Sequence, residues 1–431
     1  MSHMGHQIIS ILHKIKSILG TISKELLGNS HPIVQFFRKL NTRINRKLFI
    51  IADKSKIQRQ GSPIKFKEKV GVNISGYIDL ESGIGEAVRA NIRAFDAVDI
   101  PYVLNKVTSA TRQEEDSHQK SSQNNPYDIN FVHINADAFP DFYLQKGEDY
   151  FRDKYNIGYW VWELADFPQK WAGLFKYFNE IWTASHFCVD SISKVSPIPV
   201  IRVPHPVTMK TIRPVSRSNF NIRDDSYVFL FMFDMMSYFE RKNPLGLIEA
   251  FKLAFKSDED VCLVLKSSHS AANPEARHRV KEAINGYPVT LIDSILSREE
   301  INSLINISDC YVSLHRSEGF GLPLAEAMYL GKPVIATAYS GNMDFMTINN
   351  SFPVKYKLVE IEKDVGPYRA GSVWAEPDYY YAAEMMRYVY ENKDSSVYIG
   401  KIAAHDIKTQ FSPLVIGQIM ADRIERITGA I

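Results

Sequence analysis

Cysteine is scarce in this sequence. Its 431 residues include three cysteines, Cys188, Cys262 and Cys310, which lie far apart and form no CxxC pair. Disulfide frameworks and structural zinc sites need several cysteines at defined spacings. The sequence therefore argues against both, and it fits a reducing compartment, so we expect a cytoplasmic protein.

Long apolar runs are also lacking. No uninterrupted hydrophobic stretch approaches the roughly 20 residues of a membrane-spanning helix. Lys14, Lys16 and Lys24 interrupt the apolar residues near the start of the sequence, which is not typical of a cleavable signal peptide. No cluster of side chains has metal-ligand spacing, and no lysine has a context that suggests pyridoxal phosphate. We therefore expect neither a metal nor a cofactor.

Positive charge is concentrated in residues 1–70. This segment holds 14 Lys and Arg against three acids, so its net charge is +11. The whole sequence has a net charge of +2, so the remaining residues together carry −9. Apolar residues of 8–26 fall in one helical stripe about 120° wide, with the lysines outside it. The pattern predicts a basic amphipathic helical arm over residues 1–69. Such an arm could lie peripherally on an anionic membrane, pack on the body or join two copies, and we expect no nucleic-acid partner.

From residue 70 onward, strand-like apolar runs alternate with helical patterns, which is typical of a parallel α/β sheet. The segment 204–206, Pro-His-Pro, divides the sequence because proline ends regular elements. We predict two Rossmann-like domains, residues 70–206 and 207–412, and a helix at about 413–431 that packs back on the first. Ligands of such sheets bind at the carboxyl ends of the strands, so the active site should lie in a central cleft. The predicted strands cover 70–74, 129–134, 157–162, 180–183 and 200–203 in the first domain, and 227–233, 261–265, 289–292, 310–314 and 333–337 in the second.

The most informative motif covers residues 317–328, after a predicted strand and at the start of a helix. Gly319 and Gly321 allow the backbone to approach a ligand closely. The helix N-terminus offers N–H groups and partial positive charge, which suit a diphosphate. Glu318 lies before the helix and Glu326 about one turn into it, so the first could reach a donor sugar and the second a ribose. The alternative is a glycine-rich turn with surface carboxylates, which does not explain Glu326 amid apolar neighbours.

This motif resembles the Glu-x7-Glu signature of retaining glycosyltransferases of family 4, which have the GT-B fold. The continuation at 331–337 and 340–342 resembles the family too, and the similarity spans about residues 70–425. The resemblance implies transfer of a hexose-type sugar, with retention, from a nucleoside diphosphate sugar to a glycan or lipid-linked glycan. The donor-binding residues implied in this region are Glu318, Gly319, Phe320, Gly321, Leu322 and Glu326.

A second motif is Arg241-Lys242-Asn243-Pro244, ahead of a helix predicted over 243–256. Basic side chains at such a junction can neutralise a diphosphate. In the family a basic pair in this region holds the donor diphosphate, and Lys242 stands where a lysine is expected. The family often has Gly-Arg several residues upstream, whereas residues 233–236 here are Phe-Asp-Met-Met. We expect Arg241 to supply the missing charge; the alternative is a solvated pair at a helix start.

Two further glycines precede a helix predicted from Glu86. By resemblance, the loop with Gly83 and Gly85 approaches the donor phosphate and sugar from the first domain. Alone the motif is weak, because it lacks the third glycine of a dinucleotide fingerprint. The alternative is a tight turn that only packs helix against strand.

Candidate acceptor-side residues follow two strands of the first domain. Glu163 stands where many family members have a histidine near the donor sugar, which places it with Glu318, Arg241 and Lys242 in the predicted catalytic set. Trp160 and Trp162 could stack on a sugar face, although such tryptophans are more often core. His133 and Asn135 end the preceding strand, where a lone histidine is more often structural. We also expect residues 182–187 to line the cleft floor.

Two other activities fit the same fold, an NDP-sugar epimerase and a glycan phosphorylase. A different class of function is a non-catalytic, membrane-tethered scaffold subunit with a degenerate glycosyltransferase fold. The intact glutamate pair and the Arg241-Lys242 motif count against the scaffold. Hydrolysis or transfer of a sugar nucleotide would separate the enzyme from the scaffold.

Overall fold

The computed structural model describes residues 66, 70–80, 82–107, 122, 124–209 and 212–429. Apart from Phe66, the predicted arm at 1–69 lies outside the described residues. Helices and strands are numbered here over the described part of the chain. No helix in that part combines the length and the apolar character needed to cross a bilayer.

The first domain contains a six-stranded parallel sheet with strand order β2-β1-β3-β4-β5-β6. Its central strands are buried along nearly their whole length, as expected for a parallel sheet covered on both faces. The strands are β1 (Val72–Gly76), β2 (Tyr102–Lys106), β3 (Ile129–His133), β4 (Tyr155–Tyr159), β5 (Glu180–Thr183) and β6 (Val200–Arg202).

The second domain repeats this architecture with strand order β12-β11-β10-β7-β8-β9, again all parallel. The strands are β7 (Tyr227–Asp234), β8 (Val261–Ser268), β9 (Val289–Asp293), β10 (Cys310–Ser313), β11 (Val334–Thr337) and β12 (Phe352–Val354). An antiparallel pair, β13 (Tyr356–Glu360) and β14 (Val373–Pro377), follows as a separate hairpin. The predicted α/β GT-B architecture of two Rossmann-like domains is confirmed.

Helices connect the strands and begin at recognisable caps. Ser82, Ser185 and Ser297 each accept a hydrogen bond from a backbone N–H of the first turn, which satisfies a donor that the helix leaves unpaired. The helices are α1 (Gly83–Ala97), α2 (Phe139–Lys146), α3 (His186–Ser193), α4 (Phe239–Lys242), α5 (Pro244–Ala254), α6 (Pro274–Ala283), α7 (Arg298–Ile307), α8 (Leu322–Tyr329), α9 (Tyr379–Glu391), α10 (Lys393–Gln410) and α11 (Pro413–Thr428).

Helix α11 returns to the first domain and packs along α1. A Cβ added at Gly417 would lie 2.4 Å from the Ala94 carbonyl oxygen, so glycine permits this close approach. On the same helix, Arg423 donates from Nε to both carboxylate oxygens of the buried Glu180, at 3.2 Å each. The first domain is therefore completed by a helix that follows the whole second domain in sequence.

A ladder of buried amides fixes the register of the central strands of the first sheet. Asn73 Nδ2 donates to Asn130 Oδ1 at 2.9 Å, and Asn130 Nδ2 donates to Asn156 Oδ1 at 2.8 Å. The remaining amide groups bond to backbone, for example Asn156 Nδ2 to the Phe151 carbonyl. Buried polar groups are costly unless paired, so this network specifies one alignment of β1, β3 and β4. That alignment sets the positions of the loops that leave their carboxyl ends.

Candidate active site

The carboxyl ends of both sheets face a common cleft of about 430 Å³, within the range usual for small-molecule sites. Side chains of both domains line it. Every predicted site residue except Gly85 is among them: Gly83, His133, Asn135, Trp160, Trp162, Glu163, Arg241, Lys242, Glu318, Gly319, Phe320, Gly321, Leu322 and Glu326.

The two glycines that precede α1 have different surroundings. A Cβ added at Gly83 would meet nothing within 4 Å, so this position is open to a ligand. A Cβ at Gly85 would lie 1.9 Å from the Leu80 carbonyl oxygen. The predicted donor contact of Gly85 does not fit this position, because its missing side chain makes room for the preceding loop. The tight-turn alternative describes Gly85 better.

The centre of the cleft is an ion cluster around Glu318. Its carboxylate pairs with Lys242, and Arg241 Nη1 lies 3.1 Å from Glu318 Oε2. Burial alone would raise the pKa of Glu318, but the two adjacent cations lower it to about 2. Burial conversely lowers the pKa of Lys242, and Glu318 opposes that effect. Glu318 is thus a carboxylate that remains ionised and holds two cations in place.

The chain forms a short, sharply turned segment to present these cations. Helix α4 contains four residues, and left-handed backbone conformations flank it at Tyr238 (φ 61°) and Asn243 (φ 56°). Asn243 is compatible with this geometry because its side chain caps α5, accepting from Gly246 N at 3.3 Å. It also donates to the Leu314 carbonyl at 2.9 Å, which ties the segment to the end of β10.

Helix α8 also begins at the cleft, because its first residue, Leu322, lines it. Its N-cap is Gly321 at φ 91°, which a side chain would disfavour, and glycine leaves the helix N-terminus without a side-chain cap. Pro323 has no N–H, and Leu324 N already donates to the Gly321 carbonyl at 3.0 Å, so the N–H group of the first turn that is open to an anion in the cleft is that of Leu322. Two cations and a helix N-terminus thus converge on one region.

Glu326 lies deeper, and only 2% of it is exposed. Burial raises the pKa of this carboxyl, while its ion pair with Arg298 acts in the opposite direction. Glu86 of the first domain also faces Arg298, whose charge, with those of Arg93 and Arg89, lowers its pKa despite burial. Arg298, which the sequence analysis did not identify, therefore stands between carboxylates of the two domains.

Glu163 reaches the cleft from the first domain. One carboxylate oxygen, Oε2, accepts a hydrogen bond from the Tyr368 hydroxyl at 3.0 Å. The other, Oε1, lies 3.8 Å from Arg241 Nη2. The Glu163 carbonyl accepts from the hydroxyl of Ser317 in the second domain. Glu163 is therefore held beside the Glu318 cluster by contacts that cross the cleft.

The two predicted stacking tryptophans are core residues. The predicted strand at 157–162 ends at Tyr159, and Trp160 and Trp162 are 0% and 4% exposed. Trp162 donates to the Asp166 carbonyl at 2.8 Å. Both contribute to the cleft wall, but neither ring has a free face for a sugar. The half-buried Trp171, 5.1 Å from Trp162 and nearly perpendicular to it, also lines the cleft and is better placed for that role.

His133 and Asn135 support the wall of the cleft. His133 is buried and stacks on Tyr159 with ring centroids 4.4 Å apart, and burial lowers its pKa to about 3. Asn135 Oδ1 accepts from Val161 N at 2.9 Å, which shapes the loop that leads to Glu163. The structural alternative therefore fits His133.

The segment 182–187, expected on the cleft floor, lies behind it instead. Ser185 Oγ donates to the Gly319 carbonyl at 2.6 Å, and Cys188 Sγ lies 3.3 Å from the same oxygen. A Cβ at Gly319 would lie 2.1 Å from Val161, so glycine is needed where the domains meet. This segment positions the Gly319 loop from the side opposite the ligand.

Charged residues that the sequence analysis did not identify also line the cleft. The missed charged residues include Asp234 at the end of β7, Lys266 within β8, Arg298 and Glu86. A charge that interrupts or ends an apolar strand, as at Lys266 and Asp234, is the signal that could have revealed two of them, because such a charge needs a partner or a ligand.

In the described residues, no group of three or more His, Cys, Asp or Glu is arranged to hold a metal ion.

The buried histidines predict a pH dependence of stability. Burial lowers the pKa of His133 to about 3 and of His205 and His315 to about 4. Below about pH 6.5 the unfolded chain binds protons at these residues and the folded chain does not, so stability should fall by about 1.4 kcal/mol per pH unit per histidine. We expect the urea midpoint to drop between pH 7 and pH 5. His133→Gln should reduce this slope, whereas His278→Gln, at an exposed position, should not; equal slopes in both variants would contradict the assignment.

Comparisons with known proteins agree with this geometry. Residues 213–353, within the second domain, match the family model described as Glycosyl transferases group 1. Trehalose synthase from Rubrobacter xylanophilus is 29% identical over 106 residues, which is 23% of this chain and 26% of that relative. The chain thus spans about a quarter of the length of this curated relative.

Solved structures resemble the chain over most of its length. Anabaena HepE in complex with UDP and glucose has a TM-score of 0.58 at 12% identity, covering 83% of this chain and 100% of that chain. Sucrose-phosphate synthase from Thermosynechococcus elongatus has a TM-score of 0.62 at 13% identity, covering 84% and 100%. The chain therefore combines the GT-B fold with a group 1 glycosyltransferase region.

Proposed function

We propose that this chain transfers a hexose-type sugar from a nucleoside diphosphate sugar to an acceptor hydroxyl, with retention at the anomeric carbon. The observation that carries the proposal is the convergence of Arg241, Lys242 and the N-terminus of α8 on Glu318 in the interdomain cleft. A diphosphate needs such a concentration of positive charge and N–H donors. The acceptor would be a glycan or lipid-linked glycan.

The leaving group determines what the second domain must do. When the bond from the anomeric carbon to the phosphate oxygen breaks, negative charge develops on the diphosphate. Arg241, Lys242 and the Leu322 N–H at the start of α8 stabilise that charge in a preorganised, largely dehydrated site. Glu318 keeps both cations aligned and accepts hydrogen bonds from the donor sugar, and Glu326 binds the ribose hydroxyls. These protein groups supply the charge compensation, so we expect turnover without added divalent ions.

The ionised state of Glu318 favours a front-face displacement over a double displacement. Two carboxylates in a cleft could perform a double displacement of the glycosidase kind. A carboxylate with a pKa of about 2, paired with two cations, is a poor base and a poor nucleophile. We therefore favour a front-face route, in which the acceptor oxygen bonds to the anomeric carbon and its proton passes to the departing phosphate oxygen. Glu163 then lies beside the anomeric carbon and the acceptor.

A thermal-shift panel of UDP, GDP, ADP and TDP sugars, with a chelator present, tests the proposal. A ligand that binds only the native state raises its stability in proportion to RT ln(1 + [L]/Kd), so a true donor should stand out. That donor should then be consumed by hydrolysis or transfer. If none of these sugar nucleotides stabilises the protein or is consumed, the proposal is wrong.

Glu326→Gln tests the donor site, with the sugar nucleotide that the thermal-shift panel identifies as the donor. The substitution preserves shape but removes the charge that accepts the ribose hydroxyls and pairs with Arg298. We expect donor affinity in calorimetry to fall about 10–100-fold, the usual effect of losing hydrogen bonds to a charged group. Glu249→Gln, on the exposed face of α5, is the matched control. Equal donor affinities in the two variants would remove Glu326 from the donor site.

A further inference from the structure

The hairpin of β13 and β14 belongs to the second domain, but its buried side chains pack into the aromatic cluster of the first domain. It follows β12, and the loop between its strands, residues 361–372, extends to the aromatic cluster of the first domain. Ile361, Tyr368 and Trp374 are buried in that cluster, at 3%, 1% and 6% exposure. The outer strand β13 is mostly exposed, so the hairpin is held chiefly by this inner face.

Several contacts fix the tip of the hairpin. Val365 and Tyr368 exchange two backbone hydrogen bonds, of 2.9 and 3.0 Å. Gly366 has φ 58°, and a Cβ there would lie 1.8 Å from the Tyr238 ring, so the tip packs tightly on the turn before Arg241. The Tyr368 ring lies 5.1 Å from Tyr238 and 5.3 Å from Trp162. Tyr368 is therefore held from both domains, with little freedom to rotate.

The Tyr368 hydroxyl points at one atom of the proposed reaction centre. It donates to Glu163 Oε2 at 3.0 Å, and burial raises the pKa of the phenol well above its usual value, so the phenol remains a donor. The Glu163 side chain is 22% exposed, and Oε1 lies 3.8 Å from Arg241. Tyr368 thus fixes one carboxylate oxygen and leaves the other available to the cleft.

We propose that Tyr368 is the positioning residue of Glu163, and that the hairpin delivers it across the cleft so that the acceptor side is complete only when both domains are together. This inference rests on the proposed function. Without the hydroxyl, the carboxylate could turn towards Arg241 and draw that cation away from Glu318. Transfer to an acceptor would then suffer more than donor binding.

Tyr368→Phe tests this directly, because it removes one oxygen atom and keeps the buried ring. We expect kcat for transfer to fall about 10–100-fold, the effect of losing a hydrogen bond to a charged group, while the donor KM changes less than about 2-fold. Donor hydrolysis, which needs no positioned acceptor, should fall less than transfer. Tyr356→Phe, on the exposed strand of the same hairpin, should leave both activities unchanged.

A double-mutant cycle distinguishes positioning from general support of the fold. In a Glu163→Ala background, which removes the accepting carboxylate, Tyr368→Phe should cause less than about a 3-fold further loss, since residues that act through one contact are non-additive. The same fold-loss in both backgrounds, or a loss of hydrolysis as large as that of transfer, would overturn the inference. So would an increase in kcat, which would mean that the tyrosine obstructs the acceptor. Wild-type protein without hydrolysis or transfer would instead overturn the proposed function, and this inference with it.

Discussion

Replacing Lys242 with methionine should lower kcat by about 100–1000-fold, the usual cost of removing one charge-stabilising donor from a preorganised site. Methionine keeps the length and most of the buried volume of the side chain, so the loss reports on charge. The cation lies against Glu318, where the departing diphosphate is expected. The measurement is single-turnover transfer at saturating donor, which separates chemistry from binding.

Lys256→Met, at an exposed position just after α5, is the matched control and should retain full activity. The Lys242 variant should also show a change at Glu318. Two cations hold the pKa of that carboxyl at about 2 in the native protein, and with one removed it should rise. Activity of the variant should therefore decline at a higher pH than that of the wild type as the solution is acidified. Near-normal turnover in a folded Lys242 variant would exclude it from the diphosphate site.

Glu163→Gln should lower kcat by about 100-fold or more with little effect on donor affinity. In the proposed site the Glu163 carboxylate accepts a hydrogen bond from the acceptor hydroxyl and also stabilises the positive charge that develops at the anomeric carbon, and a neutral amide does both weakly. Glutamine can still accept the Tyr368 hydrogen bond, so the geometry should survive. The measurements are kcat for transfer and donor affinity by calorimetry. Glu384→Gln, on the exposed face of α9, is the control. If donor affinity falls as much as turnover, Glu163 belongs to donor binding.

The sequence predicted the two sheets because their strands are continuous apolar runs buried on both faces. It predicted that the Gly319 loop reaches the cleft because Gly319, Gly321 and the helix that follows leave a local signature. The strand ends were less accurate: the predicted strand at 157–162 stops at Tyr159, and that at 261–265 continues to Ser268. At both points side chains reach the cleft, where contacts between the domains decide the backbone path.

Other features depend on contacts that are distant in sequence. Arg298, the first residue of α7, pairs with Glu326 of α8, which lies 28 residues later in the sequence. The hairpin was not predicted, because its outer strand, Tyr-Lys-Leu-Val-Glu, is short, mostly exposed and without a regular alternation of apolar and polar residues. Its stability comes from Tyr368 and Trp374 in the cluster of the other domain. Local pattern cannot show which aromatic side chains meet across a cleft.

The return of α11 to the first domain affects the order in which the protein can mature during translation. The apolar side of α1 acquires its neighbour only after residues 413–428 have left the ribosome, when every strand of both sheets has already been made. Until then the surface around Ala94 is uncovered, and Glu180 lacks the guanidinium of Arg423. The first domain to be synthesised is thus the last to be finished, which leaves an apolar surface of the nascent chain exposed until both domains have been made.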